Sequence, residues 1–585
     1  MSRAATNTLW ARSFVDELFR SGAREVALAP GARSTPLVMA LARDGRFRLR
    51  VHLDERSAAF FALGVGKASG APAVVLTTSG TAAANALPAV VEAHESEVPL
   101  LVVTADRPPR LRGADANQTI DQVRLYGRHV RDFFDVPTPV LEGPELRHLR
   151  ALVCRAVAAS QGPPAGPVHV NFPFDKPLEP VDPPEDFLRA HPLAASGRPD
   201  GAPFVRVAAG RRAAAAEVLD EMVRVVDSPA GVIVAGPSPD PARLGVAVTK
   251  LAAKTGFPVL ADALSGARWG PAAGAHVVAA YDLILREKAA VERLRPSVVL
   301  RVGASPTSAP VLDWLLHHNG VEHLVIDGGG RWKDHTSTVT RYVEADAAET
   351  LLALAARAGG SASAEWTERW KAVERAALAA IDATPGAPHE GDVLAAVCAA
   401  APAGGTVFVS SSMPVRDLDA FGHPREEPLL AFGNRGASGI DGIVSSAFGV
   451  ASQRAAPTVC VLGDLAFFHD QNGLLWSREE DVRVVFVLVD NDGGGIFHGL
   501  PVARHEPAFT TYFATPHGLD LRHAAELHGI EMREVAIPEL RASLEGAIRA
   551  ARTVVLRVRS DRAANHRRHE EVAAAVARSV REALG

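Results

Sequence analysis

Cysteine is scarce in this chain: three residues in 585, Cys154, Cys398 and Cys460. They stand far apart in apolar stretches (LVCRAVA, AAVCAA, TVCVLGD), so neither a disulfide framework nor a cysteine metal site has the spacing to form. Buried, inert thiols are expected. Long hydrophobic runs are missing as well. No stretch approaches the roughly 20 consecutive apolar residues that cross a bilayer. The N-terminal MSRAATNTLWARSFVDELF reads as an amphipathic helix without a small-residue cleavage site, not as a signal peptide. An excess of positive charge is also absent. The 62 Lys and Arg against 67 Asp and Glu leave a formal charge of −5, which gives no general attraction to nucleic acid or anionic membranes. No strand is followed by a complete GxGxxG fingerprint, which argues against a Rossmann dehydrogenase. These absences leave a soluble, cytoplasmic protein as the expectation.

What is present is a large apolar fraction, 47% of residues, cut into short runs. A chain this long exceeds one core and is expected to form three domains. Short β-branched runs alternate with Ala- and Leu-rich helical segments, the pattern of parallel sheets covered by helices. EVALA, RLRVHL, PAVVLTT, PLLVVTA and PVHVNF read as strands of a first block, residues 1–180. A Pro-rich linker without periodicity follows over 181–203. GVIVAG, PVLAD, PSVVLRVG and HLVIDG are strands of a second, Rossmann-like block over 204–360. TVFVSSS, PTVCVLGD, VRVVFVLVDN and TVVLRV belong to a third, over 385–585. The expected fold class is α/β, three successive doubly wound parallel-sheet domains.

The sharpest chemistry lies in the third block. Strand PTVCVLGD ends in Gly463-Asp464, with a helix expected from about Ala466; VRVVFVLVDN ends in Asp490-Asn491, followed by Asp492-Gly493-Gly494-Gly495. Neighbouring parallel strands share one carboxyl edge, where ligands bind. A carboxylate, an amide oxygen and a loop carbonyl should therefore converge there, hard donors suited to Mg²⁺ on a diphosphate. The glycines let backbone approach phosphates closely. Either motif alone is an ordinary capped turn. It is the pair, on matching strand ends, that points to a cofactor.

Gly-Asp followed some 25 to 30 residues later by Asn resembles the signature of thiamine-diphosphate enzymes. The resemblance implies Mg²⁺ or Mn²⁺ held by Asp464, the side chain of Asn491 and the Gly493 carbonyl, with Leu465 beside the cofactor where many members have Gly. It also implies a glutamate from another domain that hydrogen-bonds the cofactor's pyrimidine, which Glu55 in HLDER supplies. Taken alone, that acid reads as a helix-start charge favoured by the dipole. The loop TTSGTAAAN, with Ser79, Gly80 and Asn85, is similar to the family's pyrimidine-side loop. Gly64-Val65-Gly66-Lys67 falls within a helix pattern and is not a nucleotide loop.

Longer stretches narrow the resemblance. LAPGARSTPL, TADRPPRL, ANQTIDQ, SSMPVR, FGNRGASGIDG and VDNDGGGIFHGLP are similar to the 2-succinyl-5-enolpyruvyl-6-hydroxy-3-cyclohexene-1-carboxylate synthases of menaquinone biosynthesis. These stretches span the first and third blocks. The resemblance implies a decarboxylating carboligation of 2-oxoglutarate with isochorismate by a homodimer or dimer of dimers. Both substrates are dicarboxylates, which arginine's planar fork pairs with best. The motifs place Arg33, Arg107, Arg416 and Arg435 for that task, with Gln118 and Ser412 as neutral donors. Met413 and Ile440 would lie near the cofactor, and Ile496 and Phe497 would form an apolar wall. Two positions depart from the family: Ala32 stands where Ser is frequent, and Gly303–Pro310 lacks a lysine that some members carry. Another thiamine-diphosphate carboligase or decarboxylase, or a non-catalytic binding module on the same fold, remains as an alternative at this stage.

Overall fold

The computed structural model describes residues 2–585 apart from 272, 274, 275 and 361. Three six-stranded sheets follow one another along the chain, and every strand pairing is parallel. The first contains β1 (Glu25–Leu28), β2 (Arg48–Val51), β3 (Ala73–Thr77), β4 (Leu100–Asp106), β5 (Asp132–Asp135) and β6 (Pro167–Pro173), in the order β2-β1-β3-β4-β6-β5. The second contains β7 (Gly231–Ala235), β8 (Val259–Ala261), β9 (Val277–Val278), β10 (Val298–Val302), β11 (Glu322–Ile326) and β12 (Arg341–Val343), ordered β12-β11-β10-β7-β8-β9. The third contains β13 (Gly405–Val409), β14 (Leu429–Gly433), β15 (Thr458–Gly463), β16 (Val484–Asp490), β17 (Glu531–Glu534) and β18 (Val554–Arg559). Its order, β14-β13-β15-β16-β18-β17, repeats the first sheet's topology.

Strands such as β3 (AVVLT) and β16 (VVFVLVD) are buried at every position. Helices cover both faces of such sheets, so the strands read as continuous apolar runs. All thirteen sequence-predicted strands form. The five that the sequence does not announce, β5, β9, β12, β14 and β17, are all sheet edges. An edge strand pairs on one side only and can be short or polar.

By contacts the chain divides into two compact units, one of Met1–Gly210, Arg435–Gln453 and Asp470–Val482, the other of Arg211–Asn434, Arg454–His469 and Arg483–Gly585. In the first unit Phe172 stacks on Phe174 at 4.5 Å and meets Phe14 edge-on at 5.4 Å. Helix Glu55–Ser69 packs on helix Ile443–Ala451 through bare backbone. A Cβ on Gly64 would lie 2.2 Å from the Ser446 carbonyl, and one on Gly449 2.1 Å from the Phe61 carbonyl. The GVGK stretch is thus a helix-crossing contact. The 181–203 segment is not featureless: helices Glu185–Ala190 and Pro192–Ser196 form there, and Ala194 enters the first core. Proline at the helix start, where no N–H is needed, explains why a Pro-rich stretch still turns helical.

In the second unit, Arg268 and Asp419 form a fully buried ion pair at 2.8 Å. The C-terminal helix Arg562–Leu584 buries Val572, Val576 and Val580, spaced four apart on one face. In the middle sheet the loops after β7 and β10 zip together: Gly236 donates to the Val302 carbonyl at 2.9 Å, and Ala304 to that of Pro237 at 2.8 Å. A Cβ on Gly236 would meet the Ala304 carbonyl at 1.9 Å. All three cysteines are buried and free, and burial pushes the Cys398 thiol up to about 12. Among the described residues, no helix is long and apolar enough to cross a membrane.

Candidate active site

In the order 2-1-3-4-6-5 the chain reverses direction between the strands numbered one and three, and ligands bind outside the carboxyl ends of such a pair. In the first sheet the residues following those ends are the loop carrying Arg33 and the turn Thr78-Ser79-Gly80. Arg107 follows the next strand, β4. A Cβ on Gly31 would fall 2.3 Å from Thr78 Cβ, so this glycine lets the Arg33 loop lie against the neighbouring turn. Arg33 donates to the Phe174 carbonyl at 2.8 Å. Arg107 donates to the Ser79 hydroxyl and, at 2.7 Å, to the Gln118 carbonyl. Gln118 in turn donates to the Ser79 carbonyl at 3.0 Å. Both arginines are buried, 8% and 7% exposed, and neither makes a salt bridge among the described residues. Burial, and then the charge of Arg107, pull the Arg33 guanidinium below its ordinary value. Two desolvated cations side by side favour an anion between them.

Glu55 opens helix Glu55–Ser69. The helix-capping role belongs to its neighbour: Asp54 accepts from the backbone N–H of Arg56 and Ser57. Glu55 is left half-buried, with Asn85 donating to its Oε2 at 3.3 Å. Arg435 and Ile440 are half-buried on the 435–442 segment. That segment is pinned by an acid the sequence reading missed, since Glu92 accepts from the backbone N–H of Gly436 (3.0 Å) and Ala437 (2.7 Å). Lys67 balances Glu92 at 3.2 Å. No local motif marks Glu92, because it sits mid-helix some 340 residues from the loop it holds.

The second unit carries the other half of the predicted set. Gly463 pairs with Val489 in the β15–β16 register, so Asp464 and Asp490 are neighbours at one edge. The helix after β15 starts at Asp464, not at Ala466, and the Asp464 carboxylate takes the free N–H of Leu465 in its first turn. Asp464 Oδ1 accepts from Leu465 at 2.7 Å, and Oδ2 from Gly493 at 2.9 Å and Asn491 at 3.2 Å. Burial nonetheless pushes its carboxyl up from the usual range. Gly493 has φ +136°, and a Cβ there would lie 2.0 Å from the Ala514 carbonyl. Only glycine fits both constraints. The Asn491 side-chain oxygen is buried with no hydrogen-bond donor. A carboxylate and an orphaned amide oxygen fit a hard cation. Asp490, Asp464 and His517 also lie within mutual ligand reach, but Asp490 is committed to Arg557, whose Nε is 2.6 Å away.

Three family models match this chain: the N-terminal TPP binding domain of thiamine pyrophosphate enzymes over residues 10–125, the middle domain over 200–409 and the C-terminal TPP binding domain over 424–558. The 2-succinyl-5-enolpyruvyl-6-hydroxy-3-cyclohexene-1-carboxylate synthase of Halobacterium salinarum is 48% identical over 98% of this chain and 99% of its own. Synthases of the same name from Halorubrum lacusprofundi (43%, covering 99% of each chain) and Roseiflexus castenholzii (43%, covering 95% and 96%) agree. The chain belongs to this synthase family.

In this family member a cavity of about 800 Å³ adjoins the third sheet's edge. Met413, Arg416, Ile496 and Phe497 line it, as do Thr307 and Ala309 of the loop that lacks a lysine, and Arg286. Ser412, at φ +73°, precedes helix Met413–Phe421 and receives the Arg416 guanidinium on its carbonyl at 2.6 Å. Arg286 is half-exposed and leans on Asp282 at 2.7 Å, so a guanidinium stands on the wall where the lysine is missing.

Proposed function

We propose that the chain joins 2-oxoglutarate to isochorismate with loss of CO₂, giving 2-succinyl-5-enolpyruvyl-6-hydroxy-3-cyclohexene-1-carboxylate for menaquinone biosynthesis. The near-full-length similarity to synthases of that name carries the reading. Thiamine diphosphate, when bound, supplies the electron sink that lets a 2-oxo acid lose CO₂ and the remaining fragment be transferred. Asp464, Asn491 and the Gly493 carbonyl would hold Mg²⁺ or Mn²⁺ for the diphosphate, with Leu465 beside them. Glu55, with Asn85 donating to its Oε2, would hydrogen-bond the pyrimidine and favour the tautomer that activates the cofactor. Ser79 and Gly80 shape the pyrimidine side, Met413 and Ile440 support the ring, and Ile496 with Phe497 keeps water from the reacting carbon.

Arg33, Arg107, Arg416 and Arg435 pair with substrate carboxylates, with Gln118 and Ser412 as neutral donors. For the buried Arg33 and Arg107, such charge-assisted bonds contribute about 1.5–3 kcal/mol each. In this reading the enzyme is cytoplasmic and works as a homodimer or dimer of dimers, Glu55 of one copy serving the cofactor held by another. The test is to mix purified protein with thiamine diphosphate, Mg²⁺, 2-oxoglutarate and isochorismate, and to weigh the product. A mass equal to the adduct minus CO₂ is expected. Turnover of pyruvate with none of 2-oxoglutarate would overturn the substrate assignment.

A further inference from the structure

Glu390 begins the helix Glu390–Ala400 and is 2% exposed, yet no step proposed above uses it. Its Oε1 accepts two hydrogen bonds, from Asn491 Nδ2 at 2.9 Å and from the Ser560 hydroxyl at 2.6 Å. Its backbone N–H donates to Asn565 Oδ1, also at 2.9 Å, which fixes the start of the helix. A carboxamide has two branches of nearly equal shape, and only the oxygen branch can ligate a cation. An oxygen that already accepts hydrogens cannot favour a second oxygen facing it, so Asn491 must turn its NH₂ toward Glu390. The Asn491 oxygen then takes the opposite branch, where it is buried without a donor. The same residue's backbone N–H lies 3.2 Å from Asp464 Oδ2, which brings the orphaned oxygen's residue against the carboxylate.

We propose that Glu390 is a positioning residue that sets the Asn491 amide so that its oxygen, and not its NH₂, faces the cation. This rests on the reading of Asp464, Asn491 and Gly493 as cation ligands. Partners that orient a metal ligand typically account for 10–100-fold in affinity.

The experiment measures Mn²⁺ affinity by electron paramagnetic resonance in the full-length protein with thiamine diphosphate present. Glu390→Met removes the acceptor at similar volume and is expected to weaken Mn²⁺ binding by at least about tenfold. Glu390→Gln, whose carboxamide oxygen can still accept, is expected to keep most of the affinity. The decisive variant is Asn491→Asp/Glu390→Met. A carboxylate presents oxygen on both branches, so binding should return to within a few-fold of wild type, which a merely structural role for Glu390 does not predict. If Glu390→Met does not fold, Asn491→Asp is compared with Asn491→Asp/Glu390→Gln. The double variant should bind more tightly because two carboxylates no longer face each other, and equal or weaker binding overturns the inference. Folded Glu390→Met with wild-type affinity overturns it alone. Wild-type protein that fails to bind Mn²⁺ overturns the cation reading and this inference with it.

Discussion

The third and middle sheets are both six parallel strands with helical crossovers, yet their carboxyl edges differ. After β15 and β16 the chain leaves a carboxylate, an orphaned amide oxygen and a glycine in a left-handed conformation at the two strand ends. After β7 and β10 the loops close on each other through backbone hydrogen bonds, and Gly236 leaves no room for even a methyl group. The same architecture thus gathers oxygen donors at one edge and closes another on itself. Fold alone does not say which, and the residues at the strand ends do.

The largest expected effect tests the open edge. Asp464→Ala should abolish cation-dependent thiamine diphosphate binding in calorimetry, a loss of about 100-fold or more, because the carboxylate also organises the Asn491–Gly493 loop. Retained binding would mean that the two edges do not differ in the way described. Next, Glu55→Gln should bind cofactor normally but lose about 10²–10⁴-fold in carboligation, read by CO₂ release. Near-normal turnover would remove the first sheet's edge from the chemistry.

The sealed edge is tested by Gly236→Ala. Its methyl would meet the Ala304 carbonyl, so a loss of about 1–3 kcal/mol is expected in denaturant unfolding, with cofactor affinity unchanged. Reduced affinity at constant stability would show that the middle sheet's edge holds ligand after all.

The smallest effect is titration. Burial opposes charge on His569, but Asp417, 2.9 Å away, outweighs it and raises the ring to about 9. Burial and the charge of Arg301 lower His323 on β11 to about 4. The His569 contribution to stability is therefore complete below its unfolded value near 6.5 and is lost as pH rises through 9. The His323 contribution is lost as pH falls from 6.5 toward 4. Nuclear magnetic resonance of the ring protons should find His569 titrating above the ordinary range and His323 below it, and Asp417→Asn should abolish the upward shift.

Much of this was legible in the sequence because its signals are local. The central strands announce themselves by continuous apolar runs, and GD and DN sit at strand ends by periodicity alone. The unread strands are edges such as EMRE and DFFD, whose residues need satisfy only one neighbour and carry no apolar pattern. The unread residues Glu92 and Glu390 act on loops more than 340 and 100 residues away, respectively: Glu92 reaches Gly436 and Glu390 reaches Asn491. An isolated acid on a helix gives no hint of such a partner. Arg286 was invisible for a similar reason, since its place on the cavity wall depends on how distant segments pack.

The Glu92 anchor has a consequence for how the 435–442 segment can change. It grips the main-chain N–H groups of Gly436 and Ala437, so exchanging the side chain at Ala437 leaves both hydrogen bonds in place, whereas Gly436 is fixed, since a Cβ there would lie 2.7 Å from the Ser96 backbone nitrogen. Ala437 and Ser438 are exposed, so either can be exchanged while this hold on the chain path stays put. Chain path and side-chain display are carried here by separate atoms.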